Sequence, residues 1–216
     1  NKIGYIECAD SNFGMFPQDA DIAEYLCLAR ELTGFPETFK PSWAKKMTPA
    51  VIDIARKLKD AGLLASVGCS LQSLNPVALN QVNRKSVSFD EFVAITDEFK
   101  RNGTQCFTEI IRGLPGETLE SFRAGLDRVV FESNVDTIYI YNCSVLENTE
   151  LKTFSQLETV RSPLYFSHLT PEPNDITEYA DLLIGCTSFT RDDIEKMYLY
   201  SWYILAFQQL GVLNYI

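Results

Sequence analysis

The stretch 104–122 reads TQCFTEIIRGLPGETLESF and contains a complete passage from a strand to a helix. Thr104–Ile111 is rich in β-branched and apolar residues, and Gly113 and Gly116 mark a turn. From Leu119 onward, the apolar residues recur at helical spacing. We therefore predict a strand followed by a crossover helix, which is the unit from which parallel sheets are built.

The same unit recurs on both sides of this stretch. The predicted helices carry start signals, at the Thr48-Pro49 pair and at Ser88 with Glu91, and stop signals at glycines. Strands that alternate with helices favour either an incomplete (β/α) barrel or an open doubly wound sheet, with strands buried on both faces. In both architectures the chemistry lies at the carboxyl ends of the strands. The predicted strands are Ile3–Cys8, Glu37–Phe39, Leu64–Leu71, Thr104–Ile111 and Val135–Tyr141.

Composition excludes several classes of protein. Hydrophobic residues make up 46% of the 216 residues, which is enough to bury a core and argues against disorder. A net charge of −10 argues against binding to nucleic acid or to an anionic membrane. The stretch Met197–Ile216 has no charged residue, but polar residues interrupt it, so we expect a helix covered by another protein surface and no membrane span.

Histidine and cysteine usage limits metal chemistry. The single histidine, His168, lies in a predicted loop and cannot form a two-histidine site. The closest cysteines are 19 residues apart, so we expect reduced thiols in a cytoplasmic protein. The cysteines are Cys8, Cys27, Cys69, Cys106, Cys143 and Cys186.

Polar residues follow four of the predicted strands, although residues of the same types also form ordinary turns. Arg84 either clamps a carboxylate or is a solvated arginine at a helix end. Glu109 interrupts an apolar strand, so it either faces a polar cleft or pairs with a lysine or arginine of the outer helices. The candidate site residues are Asp10, Asn12, Ser70, Gln72, Arg84, Glu109, Gly113 and Asn142.

In combination, these segments resemble the radical S-adenosylmethionine (SAM) superfamily over about Ile3–Leu151. Ser70–Ser73 with Arg84 is similar to the family's fourth-strand segment, and Glu109–Phe122 to its fifth-strand motif. Val145–Leu151 is similar to the turn after its sixth strand. Asp10–Gly14 with Trp43–Lys46, and also Gly185–Asp193, most resemble the branch that carries an N-terminal cobalamin-binding domain.

The resemblance implies an α/β fold, an incomplete (β/α) barrel that holds parallel strands 2–6 of a radical SAM core in residues 1–151. Residues 152–216 would be a C-terminal helical extension that ends in an apolar helix. It implies an iron-sulfur oxidoreductase or methyltransferase-like enzyme that cleaves SAM reductively at a [4Fe-4S] cluster and acts on an unknown, small-molecule substrate. Cobalamin is a further implied cofactor. The candidate site residues above would bind SAM, and no catalytic residue or metal ligand is assigned.

The sequence departs from the family in one major respect, since it contains no CxxxCxxC motif. We expect the first strand and the cluster loop to precede Asn1, and the chain by itself to be inactive and without cofactor. Arg112 stands where a small or aliphatic residue is usual, and Glu147 where proline is usual. The alternative is a degenerate, non-enzymatic barrel used for binding or for dimerisation, through the apolar C-terminal helix or an exposed barrel edge.

Overall fold

A computed structural model describes residues 2–44, 47–164, 176–210 and 212. Contacts between Cα atoms divide the chain into two compact units. The first unit comprises Asn1–Gln72, Ser86–Glu109 and Arg128–Tyr139, and the second comprises Ser73–Lys85, Ile110–Asp127 and Ile140–Ile216.

The N-terminal part of the first unit is a βαβα arrangement. Strand β1 (Tyr5–Glu7) pairs in parallel with β2 (Thr38–Lys40), and helix α1 (Pro17–Thr33) lies between them in sequence. Helix α2 (Pro49–Asp60) packs against α1 and buries Val51, Ile54, Ala55 and Leu58. Among the described strands, β1 pairs with β2.

A second sheet has the strand order β3-β4-β5. Strand β3 (Ser66–Gly68) pairs in parallel with β4 (Gln105–Arg112), and β5 (Thr137–Asn142) lies on the other side of β4. The connecting helices are α3 (Pro76–Gln81), α4 (Phe89–Arg101) and α5 (Leu119–Glu132). The parallel α/β fold is therefore confirmed, although the described strands form two parallel sheets and not a closed barrel.

The C-terminal part is not only helical. Strand β6 (Glu158–Pro163) pairs antiparallel with β7 (Tyr179–Gly185), and α6 (Arg191–Ile204) follows. Residues just after β5 bind β7, because Val145 N donates to Asp181 O at 2.7 Å and Leu183 N to Cys143 O at 2.9 Å. The β6-β7 hairpin therefore continues the hydrogen bonding beyond the end of β5.

Local signals place most helix ends correctly. Thr48 caps α2 by accepting from Val51 N, and Ser88 forms a capping box with Glu91 at the start of α4. Helix α1 begins at Pro17. It begins there because the Asp19 carboxylate accepts from the amides of Gly14 and Phe16 and thereby stabilises the first turn.

One expectation about the strands is wrong. Strand β5 is not buried on both faces, since Tyr139 is 45% exposed and Tyr141 is 50% exposed. No helix of the described residues is long and apolar enough to cross a membrane. His168, the Lys45-Lys46 pair and residues 213–216 lie outside the described residues.

Candidate functional site

The clearest polar feature of the first unit is a hydrogen bond between Ser70 and Glu109. The parallel register sets Gly68 opposite Phe107, and therefore brings Ser70 beside Glu109 at the carboxyl ends of two neighbouring strands. Ser70 Oγ donates to Glu109 Oε2 at 2.6 Å, and the Glu109 backbone carbonyl accepts from Gln72 N at 2.8 Å. A carboxylate offers about four acceptor positions, so Glu109 can accept further hydrogen bonds from a ligand.

Glu109 lies on the half-buried face of β4, the same face as Phe107. It forms no ion pair with the described residues, so the structure does not support the alternative of a lysine or arginine partner from the outer helices. Next to it, the Phe107 ring meets Tyr139 edge-on at 5.4 Å and packs closely over Gly68. The carboxylate is thus flanked by a flat aromatic surface on one strand face.

Within the part of the chain that the structure describes, the hydrogen bonds of the candidates after β1 are local. Asp10 Oδ1 accepts from Asn12 N at 2.9 Å, and Asn12 Nδ2 donates to Ser11 Oγ at 3.0 Å, which is a turn. No hydrogen bond among the described residues links Asp10 or Asn12 to Glu109. Gln72 has a left-handed backbone with φ of 63° and is half-buried. The predicted roles of these three residues stay predictions.

In the second unit, Arg112 ends β4 as a buried charge. The residue is 4% exposed, and its Nη2 donates to Asn142 Oδ1 at the end of β5. The guanidinium lies 4.3 Å from the centre of the Tyr198 ring, while its Nε has no hydrogen-bond partner in the described part of the chain. Burial lowers the pKa of Arg112 to about 10.

In the sequence, Arg112 stands out only as a departure from the family pattern, and its contact with Asn142 is not predicted. A signal was present, because Arg112 alternates with Thr108 and Ile110 on the buried face of β4. An arginine on such a face must find hydrogen bonds there, since burying its charge is costly.

The turn after β4 is held by a buried glutamate that the sequence also missed. Glu117 accepts from Ser73 Oγ at 2.5 Å, from Ser121 Oγ, and from Asn75 Nδ2 at 3.3 Å. Asn75 in turn caps α3 through its Oδ1, which accepts from Val77 N at 2.8 Å. The network therefore ties the loop after β3 to the start of α5 within this unit.

The remaining candidates of the second unit are Gly113 and Arg84. A Cβ atom on Gly113 would lie 2.7 Å from Ile194 Cδ1, and φ at this residue is 79°, so the close approach here is to a side chain of α6. Arg84 is exposed after α3, and among the described residues its one hydrogen bond is from its backbone amide to Leu79 O at 2.9 Å. Neither placement tests the predicted role in SAM binding.

The described residues do not fit an iron-sulfur cluster. They contain no group of three or more histidine, cysteine, aspartate or glutamate side chains that could hold a metal ion. Burial raises the pKa of Cys69 to about 12 and the pKa values of Cys106 and Cys143 to about 11. These buried thiols are therefore protonated at neutral pH.

Comparison with known proteins identifies the family. Residues 14–129 match the model of the radical SAM superfamily. The chain is 30% identical over 189 residues to a 2-(S-pantetheinyl)-carbapenam-3-carboxylate methyltransferase of Streptantibioticus cattleyicolor. It is 30% identical over 188 residues to the cobalamin-dependent radical SAM methyltransferase TokK of Streptomyces tokunonensis. Each match covers 85% of this chain, which spans only 28% of the length of either relative.

The fold also has solved counterparts. A structure of the radical SAM methyltransferase TsrM from Kitasatospora setae, with tryptophan substrate and a SAM analogue bound, matches with a TM-score of 0.61. That match has 11% identity and covers 92% of this chain and 42% of TsrM. A second TsrM structure, with cobalamin and a [4Fe-4S] cluster, matches with a TM-score of 0.54 and 15% identity over 72% of this chain and 33% of TsrM. The structural likeness supports the fold, and because the family model spans more than half of the residues, the chain belongs to the radical SAM superfamily.

Proposed function

We propose that this chain is the SAM-binding part of a cytoplasmic, cobalamin-dependent radical SAM methyltransferase that acts on a small molecule. Both curated relatives are methyltransferases, and one is named as cobalamin-dependent. In this proposal β1 to β5 correspond to strands 2–6 of the family's barrel, and the chain divides into residues 1–151 and an extension over 152–216. Asp10, Asn12, Gln72, Arg84 and Gly113 remain predicted SAM contacts.

The observation that carries the proposal is the Ser70–Glu109 pair at the strand ends. Glu109 has acceptor positions left for the hydroxyl and ammonium donors of SAM, and Ser70 fixes the orientation of the carboxylate. Phe107 and Tyr139 supply the neighbouring apolar surface. When bound, SAM supplies the methyl and 5′-deoxyadenosyl chemistry of the family. The described residues lack a ligand set for a cluster.

The test is a calorimetric titration of the chain with SAM and with S-adenosylhomocysteine. We expect Glu109→Gln to weaken SAM binding about tenfold, since a hydrogen bond to a charged acceptor is lost. Glu132→Gln is the matched control, because Glu132 is an exposed glutamate whose ion pair is with Arg128. Absence of SAM binding to the unaltered chain, or equal affinity in Glu109→Gln, would contradict the proposal.

Arg84 is tested in the same assay. Arg84→Lys keeps the charge but loses the planar fork that binds a carboxylate through two hydrogen bonds, so SAM affinity should fall by about 1–3 kcal/mol. Unchanged SAM binding in this variant would show that Arg84 does not contact SAM. It would not affect the conclusion about Glu109.

The second candidate function is a non-enzymatic barrel that dimerises. The observation that favours it is the exposed aromatic surface of α6, where Tyr198 is 55% and Trp202 is 56% exposed. Sedimentation velocity at two concentrations checks it. A dimer that Trp202→Glu dissociates would support this candidate, and a monomer at both concentrations would exclude it.

A further inference from the structure

We propose that Arg112 is a positioning residue that locks the Asn142 side-chain amide so that its NH₂ group faces a hydrogen-bond acceptor of the bound ligand. The inference rests on the proposed function, because Asn142 is one of the predicted SAM contacts. It adds a role for Arg112 and a direction for the hydrogen bond at Asn142.

The orientation of the amide follows from the chemistry of arginine. A guanidinium has only donors, so the Asn142 atom that faces Arg112 Nη2 must be the oxygen. The two N–H donors of Asn142 are therefore turned away from Arg112. Asn142 is exposed at the carboxyl end of β5, and the described residues offer its NH₂ group no acceptor. Its available partner must then be an acceptor, such as a carboxylate oxygen or a purine ring nitrogen.

Charge strengthens this arrangement. Arg112 is buried, and it has no carboxylate partner within ion-pair distance among the described residues. Its contacts are the Tyr198 ring at 4.3 Å and the Asn142 oxygen. A charged donor on the amide oxygen polarises the amide and makes its NH₂ group a better donor. The Asn142 position is therefore suited to an anionic or electron-rich ligand atom.

In a purely structural alternative, Arg112 only stabilises the position of α6 by its contact with Tyr198. The two roles differ in what an Asn142→Asp variant does. Aspartate still accepts from Arg112, and it also supplies the missing negative charge, so the fold should be retained. It has no N–H donor, so only the contact with the ligand is lost.

The first experiment measures the amide directly in the whole chain, selectively labelled with ¹⁵N-asparagine. In the unaltered protein we expect the two Asn142 NH₂ protons to have well-separated chemical shifts and the side chain to show restricted motion on the picosecond-to-nanosecond timescale, because Arg112 holds the amide oxygen. Arg112→Met should move these signals towards those of a freely rotating asparagine side chain and increase its motion, and Arg112→Lys should restore part of the order, because lysine keeps a charged donor. Unchanged Asn142 signals and side-chain motion in folded Arg112→Met would overturn the proposal.

The second experiment titrates SAM into the same labelled protein. We expect the Asn142 signals to shift, and Asn142→Asp to weaken SAM binding about tenfold with an unchanged or higher melting temperature. Asn148→Asp is the matched control, because it makes the same charge change at an exposed position. SAM binding that leaves the Asn142 signals and the Asn142→Asp affinity unchanged overturns this inference alone. Failure of the unaltered chain to bind SAM overturns the proposed function and this inference together.

Discussion

Side chains along β4 alternate between two environments. The charged residues Glu109 and Arg112 lie in different environments and therefore have different roles. Phe107 and Glu109 lie on the half-buried face, whereas Thr108, Ile110 and Arg112 lie on the buried face. Glu109 can therefore reach a ligand directly. Arg112 cannot, and it acts through the residue that it contacts.

The closest packing around the aromatic surface occurs at Gly68. A Cβ atom there would lie 2.7 Å from Phe107 Cζ, and the Phe107 ring is held against Tyr139. We expect Gly68→Ala to lower the free energy of unfolding by about 1–3 kcal/mol, because the Phe107 ring must move from its packed position. Urea denaturation measures the change.

Gly4→Ala is the control for this substitution, since a Cβ atom at Gly4 would come no closer than 3.6 Å to any neighbouring atom, on Glu37. We expect a change within about 0.5 kcal/mol there. Equal effects of the two alanine substitutions would show that packing against Phe107 is not the reason for glycine at position 68.

At the scale of elements, the helices depend on local hydrogen bonds that their own sequences encode. Ser88 Oγ accepts from Glu91 N at 3.2 Å, and Glu91 Oε2 accepts from Ser88 N at 2.9 Å, so two amides at the start of α4 find acceptors within four residues of the chain. This independence explains why the sequence predicts the start of α4 to the residue.

Removing the cap tests its contribution. We expect Ser88→Ala to lower the free energy of unfolding by about 1 kcal/mol, because the N-terminal amides of α4 lose their acceptor. Ser155→Ala is the comparison, because Ser155 is exposed and forms no side-chain hydrogen bond with the described residues. A cap contribution is excluded if both variants have the same urea midpoint.

Buried thiols make the stability of the whole molecule depend on pH. The pKa values of Cys69, Cys106 and Cys143 are raised by burial to about 12, 11 and 11, above their value in the unfolded chain. The unfolded chain therefore loses these protons first, and the stabilisation present below about pH 8.5 is lost as the pH rises. We expect the free energy of unfolding to fall by about 2 kcal/mol per thiol, and so by about 5 kcal/mol in all, between pH 8 and pH 10.

Arg112 changes the free energy of unfolding in the opposite direction. Its pKa is lowered to about 10, so above that pH the loss of its proton removes the cost of burying the charge and raises the free energy of unfolding. The denaturation series therefore stops at pH 10. Replacing Cys69 by alanine should reduce the pH dependence. A free energy of unfolding that rises from pH 8 to pH 10 would contradict the assignment.

Cluster binding is the other test of the whole molecule. We expect the chain to contain no bound iron after anaerobic reconstitution with iron and sulfide, because its sequence lacks CxxxCxxC and the described residues provide no ligand set. Iron and sulfide analysis after gel filtration measures the outcome. Stoichiometric iron and sulfide with an absorption band near ~400 nm would show that other residues bind a cluster.

The sequence by itself determined the alternation of strands and helices, the caps at Thr48 and Ser88, and the polar residues that follow the strands. Each of these features depends on hydrogen bonds or apolar spacing within a few residues of the chain. The family motifs are likewise short and continuous, so the order of residues along the chain is enough to indicate the radical SAM relationship.

Only the tertiary structure decided which polar groups meet. Ser70 and Glu109 are 39 residues apart in sequence, and Arg112 and Asn142 are 30 apart, so both pairs depend on strand register. Distant segments are also joined where β7 pairs with the residues after β5 and where the Tyr198 ring contacts the Arg112 guanidinium. Local spacing carries no information on such contacts, because they form only when separate strands and helices pack together.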